Sequence, residues 1–236
     1  MSPFIPADAK LRKAILVRAG QLLLQEAITG VILFAVAGTW RWWRGWLYLG
    51  TSIALLVATT LYVLPRNPEI IAERGKRHQG TARFDKVIIG IYTATVAALI
   101  VVAGLDAVRF GWAPLGPVWA LPGALLMALG MVPAAGAMAV NRHLEPTVRI
   151  QQERGHQVVT TGPYRYVRHP MYLGSLLQMA GMPMVLGSAW AAVCALATAI
   201  SVIVRTALED RMLQRDLPGY AEYARRTRYR LLPGIW

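Results

Sequence analysis

The chain has 236 residues, 56% of them hydrophobic and 16% charged, and carries a formal net charge of +13. Its apolar residues run in long stretches rather than the short periodic stripes of a soluble fold, so it reads as an integral membrane protein. The positive charge calls for no nucleic acid: basic residues beside membrane spans are the usual topological signal, and no basic stripe is interleaved with aromatics for base stacking.

A helical crossing of the hydrocarbon core needs about 20 largely apolar residues. Six stretches come close, at 22–39, 46–64, 87–105, 118–140, 171–186 and 189–204. The last two are short and separated only by Gly187 and Ser188, which predicts a tight helical hairpin at the limit of a full crossing. The expected fold class is therefore all-α, a polytopic helical bundle of about six spans. The first stretch is too long for a cleaved signal peptide and should stay as an anchor. Gln25 and Glu26, near its start, read as interfacial rather than as part of a polar pathway. Trp40, Trp42, Trp43 and Trp46 fit an interfacial aromatic belt. Cys194 is the single cysteine, which excludes an intramolecular disulfide and suits core filling.

Of the 25 Lys and Arg residues, 22 precede the first span, lie in 65–86 or 141–170, or follow residue 204; Arg41, Arg44 and Arg109 hold the alternate loops. The positive-inside rule then expects both termini in the cytoplasm.

The chain divides into residues 1–110, which hold three spans and a basic connector broken by Pro65, Pro68, Gly75 and Gly80, and a region 111–236 that carries the chemistry. Residues 141–170 form a connector long enough to be functional. In residues 205–236 the spacing of Leu213, Leu217, Tyr220 and Tyr223 predicts a cytoplasmic amphipathic helix lying against the membrane.

The polar motif Gly162-Pro163-Tyr164-Arg165-Tyr166-Val167-Arg168-His169-Pro170-Met171-Tyr172-Leu173-Gly174 is followed 35 positions later by Glu209-Asp210. Pro170 suits the first turn of a helix, where its missing N–H costs nothing. Arg168 and His169 then stand at a helix mouth whose free N–H groups favour an anion. Arg168 offers a planar fork for a carboxylate or phosphate, and Tyr164, Tyr166 and Tyr172 offer aromatic faces with hydroxyl tips. A snorkelling arginine, a capping histidine and a helix-starting proline would give the same three letters without function. The acidic pair after the hairpin argues against coincidence, and Glu209 is expected to face Arg205 one turn earlier. His143, His156 and His169 recur at a spacing of 13, which places no two on one helical face and predicts no metal site.

Gly162-Pro163-Tyr164, Arg168-His169-Pro170-x-Tyr172-x-Gly174, Glu209-Asp210 and the ending Tyr220-x-x-Tyr223-x-x-Arg226-x-Arg228-Tyr229-Arg230-Leu231-Leu232-Pro233 resemble the isoprenylcysteine carboxyl methyltransferase family, especially its bacterial and archaeal members. The resemblance extends in order over roughly the last 95 residues. It implies a multi-pass methyltransferase of a bacterial inner membrane, with its active site cytoplasmic and S-adenosylmethionine as cofactor. Its implied partners are membrane lipids and a lipophilic or lipidated substrate arriving from the bilayer. Carried over by motif, His156, Gly162, Pro163, Tyr164, His169, Pro170, Tyr172, Gly174, Glu209 and Tyr223 become cofactor-pocket residues, and Arg168 and Glu209 catalytic residues. The family commonly shows Glu-Glu where this chain has Glu209-Asp210. Two alternatives stay open: a nicotinamide-dependent membrane reductase of the sterol-reductase type, and a non-enzymatic transporter or scaffold.

Overall fold

The computed structural model describes residues 8–76 and 79–236; Met1 and the connector's Arg77 lie outside the described residues. The helices are α1 (Ala9–Ala37), α2 (Trp43–Val63), α3 (Pro68–Glu73), α4 (Arg83–Gly104), α5 (Ala120–Val140), α6 (Pro170–Leu186), α7 (Ala189–Asp216) and α8 (Tyr220–Arg226). No strand forms among the described residues, so the expected all-α bundle is the observed one. Five helical stretches are long and apolar enough to cross a membrane: Ala9–Ala37, Trp43–Val63, Arg83–Phe110, Pro117–Val140 and Ala189–Asp216. Large apolar side chains such as Leu24, Val31, Leu61, Leu125 and Leu196 cover their outer faces. This is a multi-pass integral membrane protein.

The remaining stretch, α6, has 17 residues and a length of about 25 Å. It nevertheless runs the height of the bundle. Its end at Gly187 accepts the Leu115 amide at 2.9 Å, and Ala189 N donates to Ala113 O at 3.0 Å, in the turn between α4 and α5. Arg44 completes this end. Its guanidinium donates to Val185 O at 2.8 Å, Met184 O at 2.5 Å and Leu115 O at 2.5 Å, so a cation satisfies the last carbonyls of α6. Asp106, fully buried, accepts from Ser188 Oγ at 2.5 Å and Ala113 N at 2.6 Å and ties the same turn to the start of α7.

Three local expectations are corrected. Helix α1 begins at Ala9, not near residue 22, because Asp8 caps it through Lys10 N at 2.8 Å and the basic residues that follow are good helix formers. Glu26 therefore falls in the middle third of α1, where it accepts from Ser52 of α2 at 2.9 Å; it is not interfacial. Trp42 is buried in the core while Trp40, Trp43 and Trp46 are exposed, so the belt lacks one expected member and gains Trp112, Trp119 and Trp190 at the same end.

The helix expected over 205–236 is two pieces. Helix α7 continues without a break to Asp216, and Pro218 and Gly219 (φ 82°) turn the chain into α8. Leu213, Leu217, Tyr220 and Tyr223 do share a face, but it packs on Tyr164 and Ala137 rather than on lipid.

Helices α5 and α6 pack antiparallel through glycine pairs. A methyl group on Gly130 would stand 2.5 Å from Gly174 O, and one on Gly181 2.5 Å from Gly123 O. Small residues let helix backbones approach closely where no hydrophobic drive separates lipid from protein. That contact holds the α6 mouth in register with the connector leaving α5.

Candidate active site

The connector, α6, the end of α7 and the carboxy-terminal segment meet at the end of the bundle opposite Arg44. There they enclose a cavity of about 380 Å³. Three helices supply its lower wall: Ile88, Ile89, Tyr92 and Thr93 of α4, Met171, Tyr172 and Ser175 of α6, and Val202, Arg205 and Glu209 of α7. Helices α4 and α6 each pack extensively on α7 but hardly on one another. Thr93 of α4 is exposed and also lines the cavity, so the cavity opens to the surface beside α4.

The Arg-His-Pro mouth is organised around Asp210. This fully buried carboxylate receives Arg168 Nε at 2.7 Å and Nη2 at 3.0 Å, Gln214 Nε2 and Arg230 Nε both at 2.8 Å, and Tyr220 OH at 3.1 Å. His169 Nε2 lies 3.3 Å from it. Arg168 directs both Nη1 donors to Thr227 O and Arg228 O, each at 2.8 Å. The backbone closes the clasp, with Arg168 N donating to Tyr229 O and His169 N to Arg230 O at 2.9 Å. The anion expected at the α6 mouth is thus supplied by the chain itself. Burial alone would lower the Arg168 pKa; the bonds and charge of Asp210 outweigh it and raise it.

Glu209, next in sequence, points elsewhere. It accepts the Tyr172 hydroxyl proton and forms no ion pair among the described residues. Arg205, its expected partner, is instead held by buried Asp85 of α4 at 2.7 Å and by Pro146 O at 2.6 Å. Asp85 also accepts from Val148 N at 2.8 Å, which staples the connector to α4.

Of the expected pocket residues, His156, Tyr164, His169, Tyr172, Glu209 and Tyr223 line the cavity, as does Arg168. Gly162, Pro163, Pro170 and Gly174 do not line it. Gly162 turns the backbone at φ 58° against Val140, Pro163 packs beside Gly136 of α5, Pro170 opens α6, and Gly174 meets Gly130. Tyr164 is held by Asn141 Nδ2 at 2.9 Å and, through its carbonyl, by Tyr223 OH at 2.8 Å. Burial pushes the Tyr223 hydroxyl up to about 12 and the Tyr164 hydroxyl up as well.

His156 stacks on His143 with ring centroids 4.7 Å apart. Burial first, and the His143 charge second, push His156 down to about 4; burial also lowers His143. The connector folds over Gln151, 1% exposed, whose Nε2 donates to His143 O at 2.6 Å. Among the described residues no group of three or more His, Cys, Asp or Glu is placed to hold a metal ion.

Arg74, Asp85 and Gln151 were not singled out from sequence. A charged residue at the start of an apolar run, as Asp85 is in the first turn of α4, is the one signal that could have drawn attention to them.

A multi-pass helical membrane protein with a polar chamber at one end, opening between two helices toward lipid, is the class that fold and site define. Residues 118–218, from α5 through α7, match the model of the phospholipid methyltransferase family. The cobalt-zinc-cadmium resistance protein CzcN of Cupriavidus metallidurans is 36% identical over 142 residues, 59% of this chain and 61% of that protein. The nickel-cobalt-cadmium resistance protein NccN of Alcaligenes xylosoxydans xylosoxydans is 34% identical over 105 residues, 44% of this chain and 48% of that protein. The chain thus spans less than two thirds of each relative. The methyltransferase-family resemblance carried by the motifs is borne out.

Proposed function

We propose that the protein transfers a methyl group from S-adenosylmethionine to a lipophilic acceptor that enters the cavity from the bilayer. The observation that carries this reading is the shared wall: a polar, aromatic cap above and membrane-level Ile88, Ile89, Tyr92 and Val202 below. The family match over α5–α7 supports it.

The residues present fit the cofactor. The cavity volume of about 380 Å³ falls within the usual range for small-molecule sites. Thr147 is one of the wall residues, and its Oγ1 is buried without a hydrogen-bond partner. The carboxylate of Glu209, bonded to Tyr172 and in no ion pair among the described residues, suits a cation in a cavity whose wall also carries Tyr164 and Tyr223. His156, Tyr164, His169, Tyr172, Glu209 and Tyr223 would hold the cofactor, while Gly162, Pro163, Pro170 and Gly174 shape the backbone behind them.

Bound there, S-adenosylmethionine supplies a methyl group on a positively charged sulfur, and transfer to a nucleophile neutralises or disperses that charge. The protein's own tasks are alignment and exclusion of water. Glu209, positioned by Tyr172, accepts a proton from a protonated acceptor or stabilises a cation beside it. Arg168 acts at one remove: with its fork closed on Asp210, it fixes His169 and the carboxy-terminal clasp rather than gripping an acceptor. The cavity lies at the basic end of the bundle, which the positive-inside rule assigns to the cytoplasm with both termini.

The test combines purified protein, labelled methyl donor and a total lipid extract. Label in a lipid product that disappears in Glu209→Gln is the expected result. Nicotinamide-dependent reduction of sterol-like substrates without methyl transfer would replace this reading with the reductase; neither activity would favour the scaffold.

A further inference from the structure

We infer that Arg74, from the amino-terminal half, is the specificity-determining residue that holds the acidic head group of an amphiphilic acceptor entering between α4 and α6. The inference deepens the methyl-transfer reading and rests on it for what the bound molecule undergoes, but not for the binding itself.

Four arginines stand on the cavity wall: Arg74, Arg149, Arg168 and Arg205. Three carry carboxylates of the chain. Arg149 pairs with Glu145 at 2.7 Å and Glu153 at 2.6 Å, Arg168 with Asp210, and Arg205 with Asp85. Arg74 donates only to Leu144 O, at 3.0 Å, and meets no carboxylate among the described residues. Nearby Arg18 and Arg205 add like charge. A half-buried cation without a counter-ion is costly, so the chain retains a guanidinium here against both partial desolvation and repulsion. An anion from outside the chain removes that cost. The planar fork accepts a carboxylate or a phosphate with two parallel hydrogen bonds.

Position assigns this anion to the acceptor. Arg74, held at Leu144 O, shares one cavity wall with Tyr92 of α4, Tyr172 of α6 and Arg205 of α7. Ile88, Ile89, Ser175 and Val202 line the wall there and suit an apolar chain. The methyl donor is a poorer occupant of this charge: at neutral pH its sulfonium and ammonium outweigh its one carboxylate, and Glu209 answers that excess. Arg74 also lies outside residues 118–218, so this contact comes from a part of the chain that the family match does not cover.

The experiment measures binding without catalysis. Purified full-length protein in an uncharged detergent is titrated calorimetrically with dodecyl phosphate, dodecanoate, dodecanol and inorganic phosphate, with no methyl donor present. Both chain-bearing anions should bind on the order of 10- to 100-fold more tightly than dodecanol, the range expected for a charge-assisted pair. Arg74→Gln should bring them to the dodecanol level, Arg74→Lys should retain part of the preference, and S-adenosylmethionine affinity should hold in both. Equal binding of dodecanol and the anions to the wild type would overturn the inference whether or not any variant folds. So would inorganic phosphate binding as tightly as dodecyl phosphate, undiminished anion binding in a folded Arg74→Gln, or a loss of S-adenosylmethionine affinity in that variant. Failure of methyl transfer with lipid extract would leave a positive head-group result standing, so the two claims fail separately.

Discussion

Arg168 and Asp210, 42 residues apart in sequence, close on one another through two hydrogen bonds of 2.7 and 3.0 Å. This pair joins the start of α6 to the end of α7, and the carboxy-terminal segment is tied to both members. Two adjacent acidic residues therefore have different tasks: Asp210 holds the cap together, and Glu209 faces the cavity.

Removing the Asp210 charge should be felt as stability. Asp210→Asn leaves Arg168 and Arg230 without their anion in a buried site, at an expected cost of about 3–5 kcal/mol. Arg168→Lys keeps the charge but loses the fork and should cost less. Thermal unfolding in detergent measures both; an Asp210→Asn protein as stable as wild type would show that the clasp is incidental.

Glu209→Gln should behave in the opposite way. Its unfolding temperature should match wild type, since Glu209 has no ion pair among the described residues and a Gln oxygen can still accept from Tyr172, while methyl transfer falls by about 10²–10⁴-fold. Activity retained in this variant would remove Glu209 from the chemistry.

Gly187 tests the far end of the bundle. It adopts φ 85°, and its missing side chain is where the Arg44 guanidinium lies. Gly187→Ala should destabilise the protein by about 1–3 kcal/mol, from backbone strain and displacement of Arg44. Gly111→Ala, at φ 64° but in open space, should show the strain alone and cost less. Equal losses would mean that Arg44 yields without cost.

A pH effect follows from His156, held down to about 4 by burial and by His143. In the unfolded chain a histidine titrates near about 6.5, so between these values the unfolded state gains the proton and the folded state does not. Stability should therefore be unaffected by this group above about pH 6.5 and fall as pH drops toward about 4. His156→Gln should lose less stability than wild type between those limits. Identical slopes would mean that His156 protonates freely in the folded protein.

The spans were legible because lipid demands long local runs of apolar residues, and Pro170 and Gly187 marked the limits of α6 for equally local reasons. The motif pointed to the right end of the molecule. Less legible was which side chain of each motif faces the cavity. Glu209 and Asp210 are neighbours, yet successive positions on a helix point about 100° apart, and only packing decides which one is enclosed. Arg74 and Asp85 come from a separate part of the chain, and nothing local ties them to the Arg-His-Pro mouth. The Leu213–Tyr223 stripe was visible as periodicity, but an apolar face against lipid and one against protein look alike in sequence.

Methyl transfer requires the cavity to be a methyl-donor site, and that can be tested without knowing the acceptor. Purified protein in detergent is titrated with S-adenosylmethionine by calorimetry, beside a reduced nicotinamide cofactor. The expected result is saturable binding of S-adenosylmethionine alone, weakened in His169→Ala and Tyr172→Ala proteins that remain folded. Binding of the nicotinamide instead, or S-adenosylmethionine affinity unchanged in both variants, would contradict it.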